Sequence, residues 1–148
     1  MENLADLSQE DLLTACLWAE ARGEPEEGQK GVCNVILNRA KKRMAADIPA
    51  VILQPNQFSW TNPADVNFHK VFTAKTDDPK SWERAQRIAQ AALSGTLEDN
   101  TKNADHYLNV EVTRKARGGT LPKWAEEGIR DGKVTVKIGN HTFLNLRG

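Results

Sequence analysis

The junction Arg22-Gly23-Glu24-Pro25 constrains the fold more than any other stretch, because it breaks a long helical pattern into two arms. Upstream, Leu12, Leu13, Cys16 and Leu17 recur at helical spacing behind Ser8, an N-cap residue with the acidic Asp11 three positions on. Gly23 is a helix stop, and Pro25 biases Glu24 away from helical torsions. Downstream, Pro25 suits the first position of a second helix, Glu26 and Glu27 complement its dipole, and Val32, Val35, Ile36 and Ala40 continue the 3.6-residue period. The chain is therefore expected to start as two helices around a tight corner.

A third short helix is expected over Pro49 to Leu53, before the break Gln54-Pro55-Asn56. Ser81 reads as the cap of a fourth, whose stripe is Trp82, Ala85, Ile88, Ala89, Ala92 and Leu93 and whose stop is Gly95. Between them, Trp60 to Lys80 has no clear period and reads as a long loop of the kind that carries function. A short helix is expected from Trp124 to Ile129. Val134, Val136 and Ile138 then alternate up to Gly139-Asn140, a hairpin signal, and His141 to Leu146 returns, with Ile138 facing His141 and Val136 facing Phe143. The expected class is mainly α with a small β element. With 148 residues and no repeat or linker, residues 1–148 read as one domain.

Charge narrows the function classes. The 20 Lys and Arg balance 20 Asp and Glu, which argues against a nucleic-acid partner or an anionic membrane surface as the main ligand. No apolar run is long enough to insert stably in a membrane, and the acidic start, with Glu2, Asp6, Glu10 and Asp11, is no export signal. Synthesis in the cytoplasm is expected, with Cys16 and Cys33 as buried thiols rather than a disulfide. Nothing in the pattern suggests a dimer seam, so a monomer is expected.

Glu20 ends an otherwise apolar helix, where aliphatic neighbours raise a carboxyl pKa and suit it to general acid work; a simple pairing with Arg22 is the alternative. Glu24 would share its face only if the helix continued through Gly23, and it is equally placed to cap the second helix or pair with Arg39. Two carboxylates at a corner suit glycoside cleavage. His69, His106 and His141 lack metal-ligand spacing and the two cysteines form no Cys-x-x-Cys pair, so neither a metal nor another cofactor is expected, and a zinc amidase is disfavoured. Ser59 lacks the context of a nucleophile.

Several separated motifs resemble the cell wall hydrolase family typified by the spore cortex-lytic enzyme SleB. They are Glu20-Ala21-Arg22-Gly23-Glu24-Pro25, Glu27-Gly28-Gln29, Val35-Ile36-Leu37-Asn38-Arg39, Ile52 to Ser59, Ala104-Asp105-His106-Tyr107, Trp124-Ala125 and Ile138 to Phe143, in the same order and over nearly the whole chain. The resemblance implies a lysozyme-like, lytic transglycosylase-like fold with a β element beside the cleft. It implies a peptidoglycan substrate cut at the β-1,4 bond between N-acetylmuramic acid (MurNAc) and N-acetylglucosamine (GlcNAc), with Glu20 as the catalytic acid. Members are usually transglycosylases, in which the 6-hydroxyl of MurNAc attacks; hydrolysis by water stays open.

Glu24, Gln57 and Ser59 are then expected to bind the sugar, with Phe58 in the core. His106 and Tyr107 are expected to line the cleft, and Trp124 to cover it or to anchor the last helix. His141 reads as a buried, hydrogen-bonded structural residue and Arg39 as the partner of an acidic side chain. Without an export signal or wall-binding domain, the chain reads as a phage endolysin that reaches the host periplasm once the inner membrane is breached, with a bacterial enzyme trimmed of its export signal as the alternative. The competing classes are a non-catalytic glycan-binding module of the same fold and an N-acetylmuramoyl-L-alanine amidase.

Overall fold

The computed structural model describes residues 2–148. Helix α1 spans Gln9–Ala21, and Ser8 caps it as expected, its hydroxyl accepting from the Asp11 amide at 3.1 Å. From Leu12 to Trp18 every α1 residue is buried, so the helix is the axis of the core rather than an amphipathic surface helix. Around it lie α2 (Glu26–Lys41), α3 (Ile48–Leu53) and α6 (Pro79–Leu93). Leu13, Leu17, Ile36, Ile52, Trp60, Trp82, Ala85 and Ile88 belong to this core, and Cys16 and Cys33 are buried free thiols within it.

Pro25 is the residue before α2 rather than its first member, and the corner is held by other groups. Gln29 Nε2 donates to the Leu17 carbonyl at 2.9 Å, while Gln29 Oε1 accepts from Arg84 Nε at 2.8 Å. Arg84 Nη2 in turn donates to the Glu24 carbonyl at 2.7 Å. These bonds tie α1, the corner and α6 together and satisfy the Glu24 carbonyl between the two helices. Helix α6 starts two residues before the expected Ser81, because Pro79 supplies the pre-set φ and needs no N–H in the first turn. Gly95 adopts φ +78° as the expected stop.

The segment expected as a long loop contains a 3-10 turn, Ser59–Thr61, and two one-turn helices, α4 (Val66–Lys70) and α5 (Ala74–Asp77). One turn is too short for a period to register, yet Phe68, Val71 and Ala74 are buried and pin the segment to the core. Among the described residues no helix is long and apolar enough to cross a membrane.

The C-terminal part is a three-stranded antiparallel sheet in the order β1 (His106–Leu108), β3 (His141–Leu144), β2 (Val134–Ile138). The expected pairs Ile138 with His141 and Val136 with Phe143 are present, and a bulge separates Val134 from Val136. All four residues of β3 are buried, because helices flank both faces of the sheet. On one face Phe143 fills the dent left by Gly31 of α2, where an added Cβ would lie 2.5 Å from Phe143 Cζ. On the other, Leu144 fills the dent left by Gly128 of α8 (Lys123–Arg130), where the same distance to its Cδ2 is 2.8 Å. Helix α7 (Val110–Ala116) was not expected. It buries no residue, so it has no apolar stripe to read, and Asn109 caps it through the Val112 amide at 3.0 Å.

Candidate active site

Glu20 lies in the last turn of α1, where the helix runs out of the core into a cleft. Its Oε1 accepts from the Tyr107 hydroxyl at 2.7 Å. Burial raises the Glu20 pKa from its ordinary value; the Tyr107 hydrogen bond opposes this and the charge of Asp65 adds to it. The proton is thereby retained to higher pH, as a general acid requires. Tyr107 is held in place by His141, with ring centres 5.0 Å apart, and by Phe143 at 6.0 Å. Burial pushes its own pKa well up, so it stays a neutral donor.

Two adjoining recesses share Glu20. One, of about 350 Å³, is lined by Glu20, Arg39, Asn56, Gln57, Phe58, His106, Tyr107 and Trp124. The other, of about 840 Å³, runs along the segment after α3 and includes Ser59, Thr61, Asn62 and Asp65. Gln57, Ser59, His106, Tyr107 and Trp124 therefore come together with Glu20 along one cleft. Phe58 is both cleft-lining and core, at 4 % exposure. Trp124 is 36 % exposed and lies against the His106 ring at 5.0 Å, so it is at once wall and anchor.

Arg39 joins the two walls from behind. Its Nε donates to the Asp105 carbonyl at 2.7 Å and its Nη1 to Gln57 Oε1 at 2.8 Å. The expected acidic side-chain partner is replaced by these two neutral oxygens, which a planar guanidinium reaches at once. Fixing Oε1 of Gln57 in this way leaves its NH₂ group as the donor available to the cleft.

Glu24 is not among the residues lining either recess. Its Oε1 accepts from the Asn140 amide at 3.2 Å and its Oε2 from Asn140 Nδ2 at 3.3 Å, which ties the corner to the tip of the β2–β3 hairpin. The Gly23-Pro25 break turns it off the Glu20 face, so it neither caps α2 nor meets Arg39. Arg22 lies over the Trp18 ring, 3.9 Å from its centre. His141 is buried as expected, but its Nδ1 has no hydrogen-bond partner among the described residues, and Glu24 Oε1 is 3.8 Å away, too far for one. Burial lowers its pKa, so the ring is neutral at pH 7.

The sequence reading missed Asp105 and Asn56. Asp105 is fully buried behind His106 and binds Nδ1 of that ring at 2.8 Å. The signal was its adjacency to His106, but an Asp-His pair in sequence carries no geometry. Asn56 takes φ +65° in the turn before Gln57, a conformation that Asn tolerates. Among the described residues no three His, Cys, Asp or Glu side chains cluster in a way that would hold a metal ion.

Residues 23–144 match the family model described as cell wall hydrolase. The chain belongs to that family. This cell wall hydrolase is 33 % identical over 135 residues to a spore cortex-lytic enzyme of Halalkalibacterium halodurans, which covers 90 % of the chain. It is 36 % identical over 146 residues to one of Oceanobacillus iheyensis, covering 92 %. The chain spans only 34 % and 42 % of those two relatives. Among solved structures, the hydrolase is similar to the catalytic domain of the germination-specific lytic transglycosylase SleB of Bacillus anthracis. The TM-score is 0.63 at 26 % identity, covering 95 % of this chain and 98 % of that one. The catalytic domain of Bacillus cereus SleB gives 0.63 at 25 % identity, covering 93 % and 89 %. The mainly helical fold with a small sheet is thus the fold of these SleB catalytic domains.

Proposed function

We propose that the chain is a peptidoglycan-cleaving catalytic domain that cuts the MurNAc-β-1,4-GlcNAc bond as a lytic transglycosylase, with Glu20 as the acid. The observation that carries this reading is a carboxyl with a raised pKa, hydrogen-bonded to a neutral tyrosine at 2.7 Å, at the junction of two polar recesses. Family membership and the likeness to a lytic transglycosylase domain support it.

Glu20 gives its proton to the glycosidic oxygen as the C1–O4 bond breaks, and GlcNAc leaves with a free 4-hydroxyl. Gln57, Ser59 and Tyr107 supply neutral donors and acceptors along the strand, and Trp124 offers a ring face to a sugar. Asp65 also lines the larger recess, but it caps α4 through the Asn67 amide at 2.8 Å; with that carboxylate engaged, attack by the substrate's own 6-hydroxyl is favoured over a covalent glycosyl-enzyme.

The test is incubation of the protein and of Glu20→Gln with purified sacculi, followed by mass spectrometry of the soluble fragments. 1,6-Anhydro ends from the wild type alone are expected. Reducing ends would make it a muramidase, free peptide stems an amidase, and binding without release a glycan-binding module. An endolysin role is a narrower reading, supported by the sequence expectation alone. Cytoplasmic expression followed by permeabilisation of the inner membrane should then lyse a Gram-negative host, and unchanged turbidity would remove that reading.

A further inference from the structure

We propose that Asp105 and His106 form an acid–base dyad whose Nε2 takes the proton of the attacking hydroxyl, making His106 a second catalytic residue in the recess it shares with Glu20. The inference rests on the transglycosylase reading and deepens it.

The geometry fixes the tautomer. Asp105 has no exposed side-chain surface and accepts from Lys42 Nζ, the Leu146 amide and the Arg147 amide, each at 2.9 Å. Three donors aimed at one carboxyl hold it as the carboxylate, an acceptor only. The fourth contact, His106 Nδ1 to Oδ1 at 2.8 Å, must then be donated by the ring, so the proton of a neutral His106 sits on Nδ1. That leaves Nε2 with its lone pair free, on a ring that lines the 350 Å³ recess with Glu20 and makes no other hydrogen bond among the described residues. Trp124 packs on the ring at 5.0 Å and restricts its rotation.

The charged groups around the ring keep it in this state. Burial lowers the His106 pKa, and the charges of Arg39 from α2 and Arg147 from the C-terminal segment lower it further against the pull of Asp105. Glu20 of α1 and the neutral Tyr107 of β1 line the same recess.

The C6 oxygen of MurNAc bonds to C1 while C1–O4 breaks. The Glu20 proton goes to O4, and the C6 hydroxyl proton goes to Nε2. The resulting imidazolium is stabilised by Asp105 through Nδ1–H, and it returns its proton through solvent to the Glu20 carboxylate. Glu20 is then not required to act as acid and base in the same turnover.

The experiment compares wild type, Glu20→Gln, His106→Gln and Asp105→Asn on purified sacculi from pH 4 to 9, with fragments quantified by mass spectrometry. It is paired with ¹⁵N NMR of the wild-type histidines, of which there are three, assigned with the His106→Gln protein. The expected result is a wild-type rate that falls on the acid side as His106 protonates. His106→Gln should be roughly 10²-fold slower at the optimum and lack that acid limb. Asp105→Asn, which can donate to Nδ1 and so move the proton to Nε2, should be slow even where its melting shows it folded. The NMR should show an unprotonated Nε2 at pH 7, an outcome independent of any variant's folding. A His106→Gln enzyme with wild-type rate and acid limb, or an Nε2 that carries the proton, overturns the dyad. Absence of anhydro fragments from the wild type overturns the transglycosylase reading instead.

Discussion

Glu20 and Asp105 are both carboxyl groups at the cleft, one at the end of the central helix and one behind the sheet wall, and their surroundings drive them apart. Glu20 receives one hydrogen bond, and burial raises its pKa. Burial also works to raise Asp105, but the donors from His106, Leu146, Lys42 and Arg147 outweigh it and hold the pKa at about 2. The lesson is that burial alone does not make an acid. The count of donors decides which carboxyl keeps its proton, and the helical wall leaves Glu20 nearly without them.

The most direct way to break the contrast is Glu20→Gln. Peptidoglycan release should fall by about 10²–10⁴-fold, the worth of a positioned general acid. Stability at pH 7 should be unchanged or higher. A carboxyl whose folded pKa is raised favours the fold at low pH and costs stability once it ionises, and Gln removes that cost. A variant that keeps its activity, or that melts well below wild type, would move Glu20 to the structural side of the comparison.

Gly31→Ala tests whether the sheet wall is set by the helical lobe. The new Cβ would lie 2.5 Å from the Phe143 ring, and Phe143 backs Tyr107. Overpacking of this kind costs about 1–3 kcal/mol, to be read from chemical denaturation. Loss below 0.5 kcal/mol, on the order of a neutral surface change, would show that the sheet adjusts freely.

Asp105 gives the opposite sign to Glu20 in pH. Its folded pKa, about 2 against an ordinary 3.8, favours the folded state above pH 3.8. That contribution, about 2 kcal/mol, is lost as pH falls through the folded value. Urea unfolding at pH 5 and near pH 2 should show a steeper acid loss for wild type than for Asp105→Asn, and equal slopes would refute the assignment.

The same contrast explains what could be read in the sequence. The α1–α2 corner, α6 and the hairpin register are local patterns of apolar spacing, Pro, Gly and caps, and they were legible, as was the place of Glu20 at the end of the apolar helix. The Arg39 partners and the Asp105 donor set join residues far apart in the chain: Lys42 meets a carboxylate 63 positions on, and Asn145 at 103. No spacing rule reaches that far. Glu24 lies off both recesses for a local reason that the sequence does show: the i,i+4 relation to Glu20 is meaningful only within one helix, and Gly23 and Pro25 end it. Helix α7 and the one-turn α4 and α5 have too little buried face to leave a pattern.

Glu24→Gln sharpens the difference within the corner itself. Its carboxylate holds the hairpin tip through Asn140, an exposed pair of hydrogen bonds, so the change should cost about 1 kcal/mol. Activity should fall no further than the folded fraction does. A loss approaching that of Glu20→Gln at full folding would return Glu24 to the cleft.

The smallest expected effect belongs to Tyr107→Phe, and it tests the donor count directly. The Tyr107 hydroxyl donates to Glu20 and so favours the charged carboxylate, opposing the effect of burial. Removing the hydroxyl leaves Glu20 with no hydrogen-bond donor among the described residues, and its pKa should rise. Because Glu20 acts when protonated, the alkaline limb of the rate profile should move to higher pH, while the rate at the optimum drops only by the loss of one positioning bond, roughly several-fold. An alkaline limb that stays in place or moves down would mean that burial by itself sets the acid, and that the single donor counts for nothing in the comparison with Asp105.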